Sequence, residues 1–252
     1  MMPAKDRGQA WQAPGDGRRG PVATTAQAPM GLGRRAWFRF SWLVLGGFLA
    51  GLNRLKVMGA EHVPRGGGVL FAANHLSIFD TLLIPWVNIA KVGMEVVWAP
   101  AKAELFEIPL LNRIISSWGA FPVYRSGRDI RAMRRLIDLM HREKVMLFPE
   151  GTRSLDGWMG RGNRAVGKLI YRARPVVIPT AILGTDQLLA KGRIVPRLFS
   201  NLEVRFGPAL DLDRFYRADD TKATAEAIVH TVMRSIARLR GEEDRWLAKF
   251  PA

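Results

Sequence analysis

The segment Val69-Leu70-Phe71-Ala72-Ala73-Asn74-His75-Leu76-Ser77-Ile78-Phe79-Asp80 begins as a strand and ends as the start of a helix. Val69–Ala73 is apolar without alternation, which suits a strand covered on both faces, as in a parallel sheet. Arg65-Gly66-Gly67-Gly68 breaks regular structure before it, and Leu76–Val87 after it is apolar and of helical length. The same rhythm continues. Val96-Val97-Trp98, Phe121–Tyr124, Lys144–Phe148, Val176–Ala181 and Leu202–Phe206 read as strands. Glu107–Trp118, the stretch carrying Ile130, Met133, Ile137 and Met140, and Asn163–Arg172 read as helices, and Thr221–Arg240 as a long closing helix. This alternation predicts an α/β fold with a largely parallel central sheet flanked by helices. In such sheets, sites gather at the carboxyl ends of strands. Pro179, inside Val177-Ile178-Pro179-Thr180, predicts an edge-type position.

Upstream, residues 1–30 are rich in Gly, Pro, Ala and Gln without apolar periodicity and read as a disordered tail. Residues 31–55 read as a membrane-associating helical segment. Phe40–Leu52 is an uncharged run of 13 residues, whereas a spanning helix needs about 20. Arg34, Arg35 and Arg39 precede or open it, Arg54 and Lys56 follow it, and Trp37 and Trp42 suit a head-group region. A re-entrant or surface-lying helix is the favoured reading and a buried amphipathic helix the plainer one, while a cleaved signal peptide fits poorly because the run starts so far into the chain. Residues 56–252 then form one domain, with no internal repeat.

The formal charge of +16 comes from 38 Lys and Arg against 22 Asp and Glu. Half of that excess lies between Tyr124 and Arg174, where 13 basic residues face 5 acidic ones. Such a surface attracts anionic lipid, an acidic protein or nucleic acid. Nucleic acid is disfavoured, since no binding motif is present and aromatics are not interleaved with the arginines. The chain has no Cys, which excludes disulfides, thiolate metal ligands and a cysteine nucleophile.

Two segments carry chemistry at strand ends. On one continuous helix His75 and Asp80 would point about 140° apart. They meet only if His75 lies in the loop before the helix and Asp80 in its first turn. A carboxylate there fixes the imidazole tautomer and leaves the other nitrogen as a base. Ser77 and Asp80 also fit a capping-box start, which explains the acid without catalysis. Phe148-Pro149-Glu150-Gly151-Thr152-Arg153-Ser154 follows the strand Lys144–Phe148. Arg153 offers a planar fork for phosphate, Gly151 a tight backbone, Thr152 and Ser154 further donors, and Glu150 a means of orienting Arg153 or an acceptor hydroxyl. An ordinary Pro-Glu-Gly turn is the plainer reading. Gly119–Arg125 likewise delivers Arg125 at a strand end.

In this order the segments resemble the glycerolipid acyltransferase family, in particular its bacterial lysophosphatidic acid acyltransferases. Asn74, His75 and Asp80 match its Asn-His-x-x-x-x-Asp block, and Phe148–Ser154 matches its Phe-Pro-Glu-Gly-Thr-Arg-Ser block at every position. Gly119–Arg125 and Ile178-Pro179 match two further blocks, the former loosely, with Tyr124 departing from the usual residue. Ala101-Lys102-Ala103-Glu104-Leu105 is similar to the segment between the first two blocks. The likeness covers roughly residues 55–210.

The resemblance implies direct transfer from an acyl-CoA or acidic acyl-carrier protein to the hydroxyl of 1-acylglycerol 3-phosphate, with no metal and no cofactor. His75 and Asp80 would be catalytic. Asn74, Lys102, Arg125, Glu150, Gly151, Thr152 and Arg153 would bind substrate, and a backbone N–H near the helix start would stabilise the oxyanion. It also implies residence on an anionic membrane surface, at the cytoplasmic face of the cell membrane, peripheral or monotopic. Glycerol 3-phosphate, a lysophospholipid or a glycolipid are alternative acceptors. A non-catalytic module that binds anionic lipid is an alternative of another class.

Overall fold

Val69–Ala73 does form a strand in the interior of a sheet, and all five residues are buried. A computed structural model describes residues 31–124, 130–189, 192–193 and 195–251, so the tail expected over 1–30 lies outside the described residues. In chain order these form α1 (Leu32–Gly46), a π-helical turn (Gly47–Gly51), β1 (Arg54–Met58), β2 (Val69–Ala73), α2 (Asp80–Lys91), β3 (Val97–Lys102), α3 (Pro109–Ser117), β4 (Ala120–Val123) and α4 (Ile130–Arg142). There follow β5 (Lys144–Leu147), α5 (Arg164–Ala173), β6 (Val176–Leu183), α6 (Thr185–Leu188), β7 (Asn201–Phe206), α7 (Asp213–Tyr216), α8 (Lys222–Arg240) and α9 (Glu243–Lys249). The seven-stranded sheet has the order β1-β7-β6-β2-β5-β3-β4. Only β6 and β7 pair antiparallel.

Each face of the sheet is covered, which is why its central strands read as continuous apolar runs. Leu70, Val145 and Val177 pack under α4, α5 and α8, with Leu136, Ile170, Ile228 and Val232 from the helices. Phe71, Met146 and Ile178 pack under α2, with Leu83, Ile84 and Val87, and under Leu49 of the N-terminal segment. This arrangement places the site. β2 leaves toward α2 on one face, while its neighbour β5 leaves toward α5 on the other. A crevice opens between the carboxyl ends of two strands whose connections diverge in this way.

Several boundaries move for physical reasons. The helix expected from Leu76 starts at Asp80, because residues 75–79 are spent on a turn. The expected boundary between residues 55 and 56 falls inside β1, whose alternating Arg54-Leu55-Lys56-Val57-Met58 belongs to an edge strand. α9 was not anticipated. Pro179 is not on an edge strand, since β6 lies between β7 and β2. β7, however, pairs only with Thr180–Leu183, and the Pro179 carbonyl accepts from Gly207 where the chain leaves β7. The missing N–H therefore falls where that ladder has already ended.

α1 is no free arm. Phe38 is buried and stacks on Trp118, Trp37 donates to Ser117 Oγ at 2.8 Å, and Trp42 stacks on Trp86. At the amino edge, far from His75, the buried Lys144 pairs with Glu95 and donates to Asn88. Burial lowers the Lys144 pKa, and Glu95 partly restores it.

α5 and α8 touch backbone to backbone at Gly167, where a Cβ would lie 1.9 Å from the Ala225 carbonyl oxygen. Neither helix can move without disturbing the core beneath. Gly167→Ala is expected to cost about 3 kcal/mol of stability by overpacking, read as a lower urea midpoint at unchanged slope.

Candidate active site

The site is built at the carboxyl ends of β2, β5 and β6. As the chain leaves β2, Asn74 turns inward. Its amide nitrogen donates to the Ile182 carbonyl and its amide oxygen accepts from the Ile182 N–H, both at 2.8 Å. Asn74 thus extends the β2–β6 ladder beyond its last backbone pair, Ala73 with Thr180. It is fully buried with both polar ends engaged, so the expectation that it touches substrate is corrected: it fixes where His75 emerges.

His75 lies in the loop and Asp80 is the first residue of α2, the one arrangement in which they can meet. His75 Nδ1 and Asp80 Oδ2 are 2.9 Å apart. The same Oδ2 accepts from the N–H groups of Leu76 at 2.6 Å and Ser77 at 2.8 Å. Oδ1 accepts from Thr185 Oγ at 2.5 Å. Asp80 is fully buried, and these four donors are what make a buried carboxylate tolerable. The capping-box start is not formed: α2 has no side-chain cap, and Asp80 instead braces the turn before the helix while it holds the histidine. Since the carboxylate can only accept, the proton sits on Nδ1 and Nε2 carries the lone pair. Among the described residues Nε2 makes no hydrogen bond, and the side chain is 15% exposed.

The loop after β5 closes on His75 from the other side. The Phe148 ring stacks on the imidazole, with centroids 3.9 Å apart and planes at 10°. Glu150 Oε1 accepts from the His75 N–H at 3.2 Å, and Ser154 N–H donates to the His75 carbonyl at 2.8 Å. Glu150 Oε2 accepts from Gly160 at 2.7 Å. Glu150 thus braces the two loops, and among the described residues no hydrogen bond joins it to Arg153. Its pKa is raised, chiefly by burial, against the pull of the two N–H donors and of Arg240.

Gly151 has φ of 72°, the left-handed region, and a Cβ there would meet nothing. Conformation alone calls for glycine here. The turn leaves Gly151 and Thr152 exposed and Arg153 partly exposed, and among the described residues Arg153 forms no ion pair. Lys102 ends β3, opposite Val123 at the end of β4, and is exposed. Arg125 lies outside the described residues. The oxyanion role expected of the helix-start N–H groups is not open to Leu76 or Ser77, because Asp80 holds both.

Sequence reasoning missed three contributors. Thr185 starts α6 after Gly184, and only the β2–β6 pairing brings it to Asp80. Phe148 was read as the end of a strand, although it forms the wall behind His75. Arg240, from α8, donates to the Gly157 carbonyl at 2.7 Å and holds the post-β5 loop with Trp246, which donates to Gly160. Thr185→Val is expected to lower turnover about fivefold with little change in KM, by stranding Asp80 Oδ1 without its donor. Thr185→Ser, assayed alongside, should restore the rate.

Residues 54–183 match the family model described as Acyltransferase, slightly more than half the chain. The 1-acyl-sn-glycerol-3-phosphate acyltransferase of Limnanthes douglasii is 26% identical over 165 residues, covering 63% of this chain and 55% of that protein. The alpha form of Ovis aries is 25% identical over 192 residues, covering 71% of this chain and 62% of that protein. A chloroplastic counterpart from Arabidopsis thaliana is 24% identical over 143 residues, covering 55% and 38%. The chain thus spans about half the length of the curated relatives it matches. The crystal structure of a 1-acyl-sn-glycerophosphate acyltransferase from Thermotoga maritima shares the fold, with a TM-score of 0.61, 24% identity and coverage of 82% of this chain and 83% of that one.

Proposed function

The chain belongs to the acyltransferase family, and from that premise we propose that it acylates the free hydroxyl of 1-acylglycerol 3-phosphate from an acyl thioester, making phosphatidic acid. One observation carries the reading: His75 Nδ1 is bound to a buried carboxylate while Nε2, among the described residues, makes no hydrogen bond and the side chain keeps 15% exposure. Nε2 takes the proton of the acceptor hydroxyl as its oxygen attacks the thioester carbonyl. The tetrahedral intermediate then collapses, the carbon–sulfur bond breaks, and the thiolate leaves with the proton returned by His75. General base catalysis of this kind is worth roughly 10²–10⁴-fold. The decisive assay is thiol release from palmitoyl-CoA with and without 1-acylglycerol 3-phosphate. Release that is indifferent to the acceptor would reject the proposal.

We assign the acceptor phosphate to Arg153, with Lys102 and Arg125 as further cations; the partial exposure of Arg153 after the turn at Gly151 and Thr152 supports this. Losing charge-assisted hydrogen bonds to phosphate should raise the acceptor KM of Arg153→Ala at least roughly tenfold, with a smaller change in turnover. A lowered turnover at unchanged KM would move Arg153 out of the binding role.

The donor is an acyl-CoA or an acidic acyl-carrier protein, drawn to the basic surface that exposes Arg131, Arg134, Arg164 and Lys168. The enzyme works at an anionic membrane surface, on the cytoplasmic face of the cell membrane. In support, α1 exposes Phe40, Leu43 and Val44 beside Arg35 and Arg39, opposite the face that packs on Trp86 and Trp118. No helix among the described residues is long and apolar enough to cross a membrane. A peripheral or monotopic attachment therefore fits α1.

A further inference from the structure

We propose that Val195-Pro196-Arg197-Leu198-Phe199 is a second membrane-inserting element, placed beside the mouth of the active site and separate from α1. The proposal rests on the membrane reading above and adds to it a named segment and a geometry. Val195 is 78% exposed and Phe199 76% exposed, with Leu198 exposed between them. Phe199 also has φ of 61°, a left-handed backbone that a bulky residue adopts only at a cost. A side chain held out in water on a strained backbone gains nothing for the fold, so its partner lies outside the described chain.

The surroundings identify that partner as an anionic bilayer. Arg197 in the segment and Arg193 shortly before it are exposed, and among the described residues neither forms an ion pair. Exposed apolar side chains interleaved with free cations fit a head-group and acyl-chain boundary. The position agrees. Phe199 N–H donates to the Leu52 carbonyl at 2.9 Å, tying the segment to the end of the N-terminal helical stretch. Arg197 N–H donates to Leu188 at 2.7 Å, at the end of the short helix that carries Thr185. Ser77 Oγ donates to Leu189 at 2.7 Å, tying the stretch just before it to the His75 turn, where Ile78 is 49% exposed. Insertion here would set the opening at His75 against the interface from which a lysolipid acceptor arrives.

The chain contains no cysteine, so single cysteines label cleanly. Phe199→Cys, Phe40→Cys and, as a control on the exposed loop before α8, Asp219→Cys would each carry an environment-sensitive NBD dye on the full chain. With mixed phosphatidylcholine–phosphatidylglycerol vesicles, blue-shifted and brightened emission is expected at 199 and 40 and not at 219. Response at 40 with silence at 199 overturns the inference and leaves the membrane reading standing. Silence at both overturns the membrane reading itself. Phe199→Asn keeps a residue that tolerates positive φ, so its melting temperature should not fall. Its vesicle affinity should fall about tenfold for the loss of one inserted aromatic. Wild-type affinity in that variant, or loss of self-association in place of vesicle binding, overturns the inference.

Discussion

His75→Ala is expected to lower acyl transfer roughly 10³-fold while the protein stays folded. The size follows from what the ring does. Among the described residues Nε2 makes no hydrogen bond and so is free to act as a base, and alanine supplies no substitute for it. The neutrality toward folding follows from what the ring does not do. His75 is tied to the Phe148–Ser154 loop through its backbone, by the Glu150 and Ser154 bonds, and alanine keeps both. Asp80 loses one donor of four but retains Leu76, Ser77 and Thr185. The stability cost should therefore stay near that of a single hydrogen bond and a ring contact, about 1–2 kcal/mol. Turnover from the thiol-release assay, with a urea melt on the same preparation, measures both. A folded variant with wild-type turnover would remove His75 from the chemistry.

How much of this was legible beforehand depended on whether the signal was local. β2, β5 and β6 are short apolar runs between breakers, and each is a strand within a residue or two of its expected bounds. The meeting of His75 and Asp80 followed from helical geometry, since only a loop-to-first-turn placement brings them together. Residues defined by distant partners were not legible. Asn74 and Glu150 are polar residues in a functional-looking motif, and their types suit substrate contact. What decides otherwise is that Ile182, 108 residues away, takes both ends of Asn74, and that Gly160 and the His75 backbone take Glu150. Thr185 lies 105 residues from Asp80 and is adjacent only because β6 pairs with β2. β1 escaped notice because its charged residues alternate as on an edge strand, where solvent accepts them. Pro179 misled in the other direction, because an interior strand can be locally unpaired on one flank.

Asp80→Asn and Asp80→Ala are expected to separate the two roles of this carboxylate. The N–H groups of Leu76 and Ser77 are backbone donors that cannot turn away. In the asparagine variant the amide oxygen must therefore take the place of Oδ2, since the amide NH₂ there would face two fixed donors. That choice also keeps an acceptor against His75 Nδ1, so the tautomer with Nε2 free is preserved. The NH₂ then faces Thr185, whose hydroxyl can turn to accept. What remains lost is the negative charge that steadies the imidazolium as the acceptor proton transfers. The expected outcome is a fall in turnover of about 10²-fold, near-native stability and little change in acceptor KM. Alanine fares differently. It strands two buried N–H groups and the Thr185 hydroxyl and frees the turn that leads into α2, for a loss of roughly 3–5 kcal/mol on top of the lost activity. Steady-state kinetics with urea midpoints on both variants give the comparison. Near-wild-type turnover in Asp80→Asn, beside a destabilised Asp80→Ala, would leave Asp80 only a brace of the turn before α2 and require His75 to act without a charged partner.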